Sequence, residues 1–139
     1  MEQANQNYSL QVLFAGDAML GRGVNRVIWE MGPAYPLDPI LTVTRSADLF
    51  LVNLECAITA QERWYSGPPK AFYFRADPPA AETMVHAGVN LVSLANNHAL
   101  DAGPAGLSDT LAILTAQGIA TVGAGKNLAA ASQPVFFET

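Results

Sequence analysis

Short apolar runs alternate along the chain with longer segments whose apolar residues recur at helical spacing. A continuous apolar run bounded by turn residues is typical of a buried strand, whereas spacing of about 3.6 residues is typical of a helix with one buried face. Prolines near helix starts and glycines just past helix ends mark most boundaries. These patterns predict strands over residues 10–16, 47–54, 89–95 and 119–122, and helices over residues 22–31, 36–43, 78–87, 104–117 and 127–132.

Three further segments complete the pattern. Residues 59–69 are polar and rich in turn residues, which predicts a long surface loop that covers a site. Residues 71–75 and 134–138 are each typical of a strand, and the exposed edge of the second predicts self-association with another copy. The alternation of strands and helices predicts the α/β class, with a largely parallel sheet and flanking helices.

Composition and charge narrow the class of protein. Of the 139 residues, 50% are hydrophobic and 14% are charged, as expected for a compact domain around a buried sheet. The net charge of -5 and the presence of only seven Lys and Arg residues give no basic stripe, so we expect no nucleic-acid partner. The polar residues 1–9 predict a flexible N-terminus ahead of one domain over residues 10–139.

Cysteine use and hydropathy bear on the compartment. The single cysteine, Cys56, cannot form an intramolecular disulfide, so we expect a small core residue and a fold that does not need an oxidising environment. No apolar run reaches the roughly 18 residues of a membrane span, and the N-terminus lacks the features of a leader. As written, the sequence predicts a cytoplasmic protein, and a removed leader would place it at the cell envelope instead.

Polar side chains follow three of the predicted strands. Asp17 follows the first, Glu55 the second, and Asn97 and His98 the third. Because the carboxyl ends of parallel strands meet at one edge of a sheet, we expect these side chains to converge. Two carboxylates and an amide oxygen suit a divalent metal ion such as Mn²⁺, Fe, Zn²⁺ or Mg²⁺, with open positions for water and substrate. His98 is expected to be either a further ligand or a general acid.

Each of these residues also has a structural explanation. Asp17 and Glu55, each taken alone, are explained equally well as helix caps, and residues 96–97 can simply form a turn of the chain. For Asp101, capping of the helix that follows is favoured over direct ligation of a metal, and it can also orient His98 through a hydrogen bond. The coincidence of three polar strand ends favours the functional interpretation.

Five segments carry motifs in a recognisable order. They are residues 16–22 (GDAMLGR), 48–55 (DLFLVNLE), 70–76 (KAFYFRA), 93–103 (SLANNHALDAG) and 123–125 (GAG). In order and spacing they resemble the bacterial capsule-synthesis protein CapA family, and the Asn-Asn-His-x-x-Asp-x-Gly motif is specific. That family is associated with poly-γ-glutamate capsule production and belongs to the calcineurin-like metallophosphoesterase superfamily.

The resemblance implies a fold and a set of roles. It implies a metallophosphoesterase-like α/β/β/α sandwich, of which this chain is the incomplete N-terminal half. It makes Asp17, Glu55 and Asn97 the metal ligands and His98 the acid that protonates the leaving group. Met19 stands where the superfamily has a histidine ligand, and the superfamily's later histidine motifs have no counterpart after His98.

Together the motifs predict a metal-dependent phosphoesterase-type hydrolase of capsule or poly-γ-glutamate biosynthesis. Asp101 would orient the acid, and we expect Arg22, Asn96 and Lys70 to contact the substrate, an anionic small molecule or polymer such as a phosphate ester or poly-γ-glutamate. The alternative is an accessory polymer-handling or export module whose catalytic residues have decayed, which the methionine at position 19 favours.

Overall fold

The computed structural model describes residues 9–62 and 64–138. A four-stranded parallel sheet of order β1-β2-β5-β6 forms its centre, and β3 and β4 pair in parallel beside it. The α/β class and the largely parallel sheet with flanking helices are confirmed. The strands are β1 (Val12–Ala18), β2 (Leu49–Leu54), β3 (Ala57–Ile58), β4 (Arg75–Ala76), β5 (Leu91–Ser93) and β6 (Ala120–Val122); the helices are α1 (Arg22–Met31), α2 (Leu41–Thr44) with a 3-10 helix (Asp38–Ile40) before it, α3 (Ala80–Ala87), α4 (Gly103–Ala116) and α5 (Leu128–Ala131).

The strongly periodic segments fold as predicted. The helix predicted over residues 22–31 is α1, and α3 ends where Gly88 adopts the left-handed conformation with φ of 82°. The strands predicted over residues 89–95 and 119–122 form with shorter ladders, as β5 and β6. Of the predicted flexible segment 1–9, all but Ser9 lies outside the described residues.

The prediction that the first strand is buried is wrong. β1 pairs with β2 alone, so it is an edge strand of the described sheet, and most of its residues are exposed. Phe14 has 70% of its surface exposed. The largely apolar segment 10–16 resembles a central strand of a parallel sheet, and the sequence pattern alone does not distinguish an apolar edge from an apolar centre.

Two further strand predictions are corrected. Of the strand predicted over residues 71–75, only Arg75 enters β4; the Phe74 carbonyl accepts from the backbone N–H of Ala57 in β3, whereas the Phe74 N–H donates to the carboxylate of Asp101. The strand predicted over residues 134–138 does not form, since no described segment offers it a ladder, and Phe136 is 86% exposed. The expected self-association through a C-terminal strand therefore has no strand in the described residues to support it.

A β-bulge in β1 sets the position of Asp17. The register runs from Phe14 opposite Leu51 to Asp17 opposite Asn53, which is one residue more on β1 than on β2. In a regular ladder Gly16 would face Asn53. Bulges of this kind redirect side chains at strand ends, and here the bulge brings a carboxylate level with the end of β2.

The core brings buried residues of β2 and β5 together with residues of α1, α3 and α4. Along β2 the alternate residues Phe50, Val52 and Leu54 are buried, while the residues between them are half-buried. Burial of such a side chain stabilises the fold by about 1.5–3 kcal/mol. Cys56 is fully buried, as predicted for a core residue. None of the helices in the described residues is long and apolar enough to cross a membrane.

Candidate functional site

The polar strand ends meet at one edge of the sheet. Asp17 is the second-last residue of β1, Glu55 directly follows β2, and residues 96–98 lie shortly after β5. Since β1, β2 and β5 are adjacent and parallel, their carboxyl ends place these side chains together. Asp17 is exposed, Glu55 is half-buried and His98 is buried, so the group runs from the surface inward.

Asn53, the last polar residue of β2, joins the two carboxylates. Its Nδ2 donates to Asp17 Oδ1 at 2.8 Å and to Glu55 Oε1 at 2.7 Å. Sequence reasoning did not select this residue as part of the site. The available signal was a single amide inside the apolar run 49–54, a position where an unpaired polar side chain would be costly.

Asn96, expected to contact substrate, is held by three hydrogen bonds. Its Nδ2 donates to Asn53 Oδ1 at 3.0 Å and to the carbonyl of Leu54 at 2.9 Å. Its Oδ1 accepts from the backbone N–H of His98 at 2.9 Å. This side chain therefore links β2 to the turn that carries the imidazole.

Asp101 orients His98, as the sequence predicted it could. His98 Nδ1 lies 2.6 Å from Asp101 Oδ2, and Asp101 is completely buried. The pairing directs the other ring nitrogen outward, and His98 Nε2 lies 3.8 Å from Glu55 Oε2. The residue does not cap α4, whose N-cap position is Ala102 and carries no side-chain hydrogen bond.

Lys70 neutralises the buried aspartate. Its Nζ donates to Asp101 Oδ1 and to the carbonyl of Asn97. The backbone N–H of Phe74 donates to Asp101 Oδ2 at 2.7 Å, and that of Tyr65 donates to the Asp101 carbonyl at 2.7 Å. These bonds hold the loop after β3 against the turn that carries His98. The Lys70 ammonium already has two acceptors within the chain, and its contact with substrate remains a prediction.

An aromatic stack connects Arg22 to the imidazole. The Phe74 ring lies 4.2 Å from the His98 ring, centroid to centroid. The Arg22 guanidinium lies 4.8 Å from the Phe74 centroid and 5.0 Å from that of Phe72. Arg22 also has a positive φ of 53°, which is uncommon outside glycine. The geometry holds this cation near the polar edge without a salt bridge to any described residue.

Asn97 and Met19 lie in different surroundings. The Asn97 side chain makes no hydrogen bond within the described residues and lines a cleft of about 670 Å³ beside Gly123–Gly125. Met19 is half-buried, and its Sδ accepts from the backbone N–H of Gly21 at 3.2 Å. A Cβ on Gly21 would lie 2.6 Å from the carbonyl oxygen of Arg75, so the glycine lets the start of α1 approach β4.

The donor set offers two carboxylates to a cation. Within residues 9–62 and 64–138, no group of three or more His, Cys, Asp or Glu side chains is close enough to hold a metal ion. Over the same residues, no Lys or Arg forms a salt bridge with Asp17 or Glu55. Two carboxylates held by one amide and without a Lys or Arg partner suit a hard ion that retains several waters, such as Mg²⁺, better than catalytic zinc, which takes three protein ligands.

Cys56, next to Glu55, is not available as a nucleophile. Burial raises the pKa of its thiol from 9.0 to about 12, backbone N–H groups of Leu20 and Gly21 lower it in part, and the charges of Glu55 and Asp101 raise it further. Because the thiolate is the reactive form, the raised pKa leaves this thiol unreactive near neutral pH.

Comparison with known sequences adds independent information. A sequence model of the family described as bacterial capsule synthesis protein PGA_cap matches residues 11–139. A probable polyglutamine synthesis accessory protein of Mycobacterium tuberculosis is 33% identical over 86% of this chain and 40% of its own length. The PGA biosynthesis protein CapA of Bacillus subtilis is 29% identical over 96% of this chain and 36% of its own.

A third relative extends the same pattern. The capsule biosynthesis protein CapA of Bacillus anthracis is 27% identical over 88% of this chain and 30% of its own length. The chain therefore spans between 30% and 40% of the length of these relatives.

Proposed function

The chain belongs to the bacterial capsule synthesis protein PGA_cap family, and from that premise we propose that its polar sheet edge is a metal-dependent phosphoesterase-type hydrolase site used in capsule or poly-γ-glutamate biosynthesis. One observation carries the proposal: Asn53 holds the carboxylates of Asp17 and Glu55 together, and no described Lys or Arg neutralises them. Two like charges held this close favour a divalent cation between or beside them.

Asp17 and Glu55 would hold the ion, with Asn97 at the adjoining turn as a further oxygen ligand. When bound, the ion would polarise a phosphoryl oxygen and lower the pKa of water, so that the water could release a proton to solvent and attack phosphorus as hydroxide. Mg²⁺ and Mn²⁺ are the ions that this oxygen-rich donor set favours.

His98 supplies the proton. Its Nδ1 is committed to the Asp101 carboxylate at 2.6 Å, so Nε2 is the ring atom that can donate to a departing oxygen. Asp101 carries its own countercharge in Lys70, which lets the pair stay buried while the ring keeps one orientation.

Arg22 binds the anionic part of the substrate in this proposal. The guanidinium lies over two phenylalanine rings, which fix its plane and leave its N–H groups for a phosphate or carboxylate. A phosphate ester and the carboxylates of poly-γ-glutamate both present the charge that such a group recognises.

Metal binding by the chain tests the first half of the proposal. Calorimetric titration with Mn²⁺ is expected to give one site that Asp17→Asn and Glu55→Gln weaken at least about tenfold. Asp38→Asn is the matched control, because that exposed carboxylate pairs with His86 away from the sheet edge. Absence of Mn²⁺ binding, or equal losses in the control, would overturn the metal site.

Hydrolysis tests the second half. With Mn²⁺ present, turnover of p-nitrophenyl phosphate or its diester is expected to fall about 10²–10⁴-fold in His98→Gln, with Mn²⁺ affinity retained. Equal background rates in the unaltered chain, Asp17→Asn and His98→Gln would contradict the hydrolase. Metal binding without hydrolysis would instead fit a non-catalytic polymer-handling module.

A further inference from the structure

We infer that Asn53 is a positioning residue that brings the Asp17 and Glu55 carboxylates to one point, and that Asn96 sets the direction in which the Asn53 amide faces. The inference rests on the proposed function and deepens it, because it names what prepares the two carboxylates for a cation. It is carried by five hydrogen bonds whose donors and acceptors allow one consistent arrangement.

The direction of the Asn96 amide is fixed by backbone groups. Its oxygen accepts from the His98 N–H, and its nitrogen donates to the Leu54 carbonyl. A backbone N–H can only donate and a backbone carbonyl can only accept. Rotating the Asn96 amide by half a turn would set donor against donor and acceptor against acceptor, so only one orientation satisfies both contacts.

That orientation determines the next amide. Asn96 Nδ2 also lies 3.0 Å from the side chain of Asn53 and can only donate to it, so Asn53 must present Oδ1 to Asn96. Its Nδ2 then faces the two carboxylates, where both amide hydrogens are used. The backbone turn at residues 96–98 therefore determines, through the Asn96 and Asn53 side chains, which group faces the two carboxylates.

The arrangement opposes a repulsion that would otherwise separate the ligands. Asp17 lies on an exposed edge strand, and Glu55 is the residue after β2. Backbone contacts alone therefore do not force their side chains together. Asn53 uses one oxygen of each carboxylate. Among the described residues, neither Asp17 Oδ2 nor Glu55 Oε2 accepts a hydrogen bond, and Glu55 Oε2 lies 3.8 Å from His98 Nε2. Those oxygens remain for a cation.

Asn53→Leu is the direct test, because leucine matches asparagine in size and cannot donate. It is expected to weaken Mn²⁺ binding about 10–100-fold in calorimetric titration, the effect typical of residues that orient metal ligands. Asn25→Leu is the matched control, since Asn25 Nδ2 also donates to a carboxylate, Asp77 Oδ2, at 2.8 Å and lies in α1. The control is expected to lower stability and to leave Mn²⁺ affinity unchanged.

Asn96→Asp tests the upstream half. An oxygen in place of Nδ2 would repel both the Leu54 carbonyl and Asn53 Oδ1, so the Asn53 side chain is expected to shift and to lose its fixed donation to the two carboxylates. Mn²⁺ binding should then weaken as in Asn53→Leu. In the double variant Asn53→Leu/Asn96→Asp the two losses should not add, because both act through one amide. Additive losses in folded variants would overturn the coupling.

A metal-free measurement separates this inference from the proposed function. In ¹⁵N-labelled protein, the side-chain NH₂ signals of Asn53 are expected to shift in Asp17→Asn, Glu55→Gln and Asn96→Asp, and to stay in place in Asp38→Asn. Unchanged Asn53 signals in the first three variants would refute the positioning role. If the unaltered chain does not bind Mn²⁺, the metal site is refuted and the positioning role is not. The NMR signals then still show whether the two amides are coupled.

Discussion

The Asp101 carboxylate and the His98 imidazole form a 2.6 Å contact in which the aspartate is completely buried. The same carboxylate accepts from the Lys70 ammonium and from the backbone N–H of Phe74. One side chain therefore satisfies a cation, a ring nitrogen and a backbone donor that come from two separate parts of the chain.

Removal of that carboxylate should cost stability out of proportion to its size. Asp101→Ala leaves the Lys70 ammonium and the Phe74 N–H without their acceptor, and we expect a loss of about 3–5 kcal/mol in the free energy of unfolding. Urea denaturation measures it. Asp38→Ala removes an exposed partner of His86 and should cost less than about 1 kcal/mol; similar losses in both variants would contradict this account of Asp101.

Cys56 should resist alkylation in the native protein. With its pKa raised to about 12 by burial, only ~10⁻⁴ of the thiol is ionised near pH 8, and the sulfur is also shielded from reagent. Iodoacetamide, followed by mass spectrometry, is expected to leave the folded chain unmodified for hours and to label it rapidly in concentrated guanidinium chloride. Rapid labelling of the folded chain would show that the residue is accessible.

Asp77 should make stability depend on pH in the acid range. The hydrogen bond from the Asn25 side chain lowers the pKa of this carboxyl below its ordinary 3.8, burial opposes the shift, and Trp29 and Arg75 add to it. A pKa lowered on folding gives stability that is present above 3.8 and is lost as the pH falls through the folded value. Asp77→Asn should therefore cost about 1–2 kcal/mol near neutral pH, and the gap should close in acid.

The pH series carries its own control. Free energies of unfolding for the unaltered chain and for Asp77→Asn are to be measured by urea denaturation from neutral pH downward. A gap that stays constant to the lowest pH at which the chain folds would mean that the ionised carboxylate contributes nothing specific.

Two glycines should respond to alanine in opposite directions. Gly123 has φ of 84°, and a Cβ there would lie 2.5 Å from the Cβ of Ala95. Gly123→Ala is expected to lower the melting temperature, at a cost of about 2 kcal/mol or more. Gly23 lies in α1 with open space around its Cα, so Gly23→Ala should raise stability by about 0.5–1 kcal/mol. A reversed order would contradict the backbone assigned at residue 123.

Much of the fold could be predicted because its signals are local. The periodicity over residues 22–31 and the glycine at 88 need no knowledge of distant contacts, and both predicted elements form. Parallel strands with polar ends likewise predict a shared edge, and the structure brings Asp17, Glu55 and His98 to that edge.

What could not be predicted depends on register and on distant partners. The contact of Asn53 with Asp17 depends on the bulge in β1, and no sequence pattern in residues 12–18 predicts that bulge. The contact between Lys70 and Asp101 joins residues 31 positions apart, and the bond from the Phe74 N–H to the same carboxylate joins residues 27 positions apart. The exposure of Phe14 depends on which strands flank β1, information that an apolar run does not contain.

The edge strand β1 has a consequence for how the molecule responds to association. Within residues 9–62 and 64–138, no strand pairs with its second side, its exposed face carries Phe14, and its end carries Asp17. An exposed apolar edge of this kind is a template for another strand. Any strand that adds there would lie directly beside a proposed metal ligand. Cation affinity should therefore change with protein concentration as self-association does, and light scattering should accompany every titration.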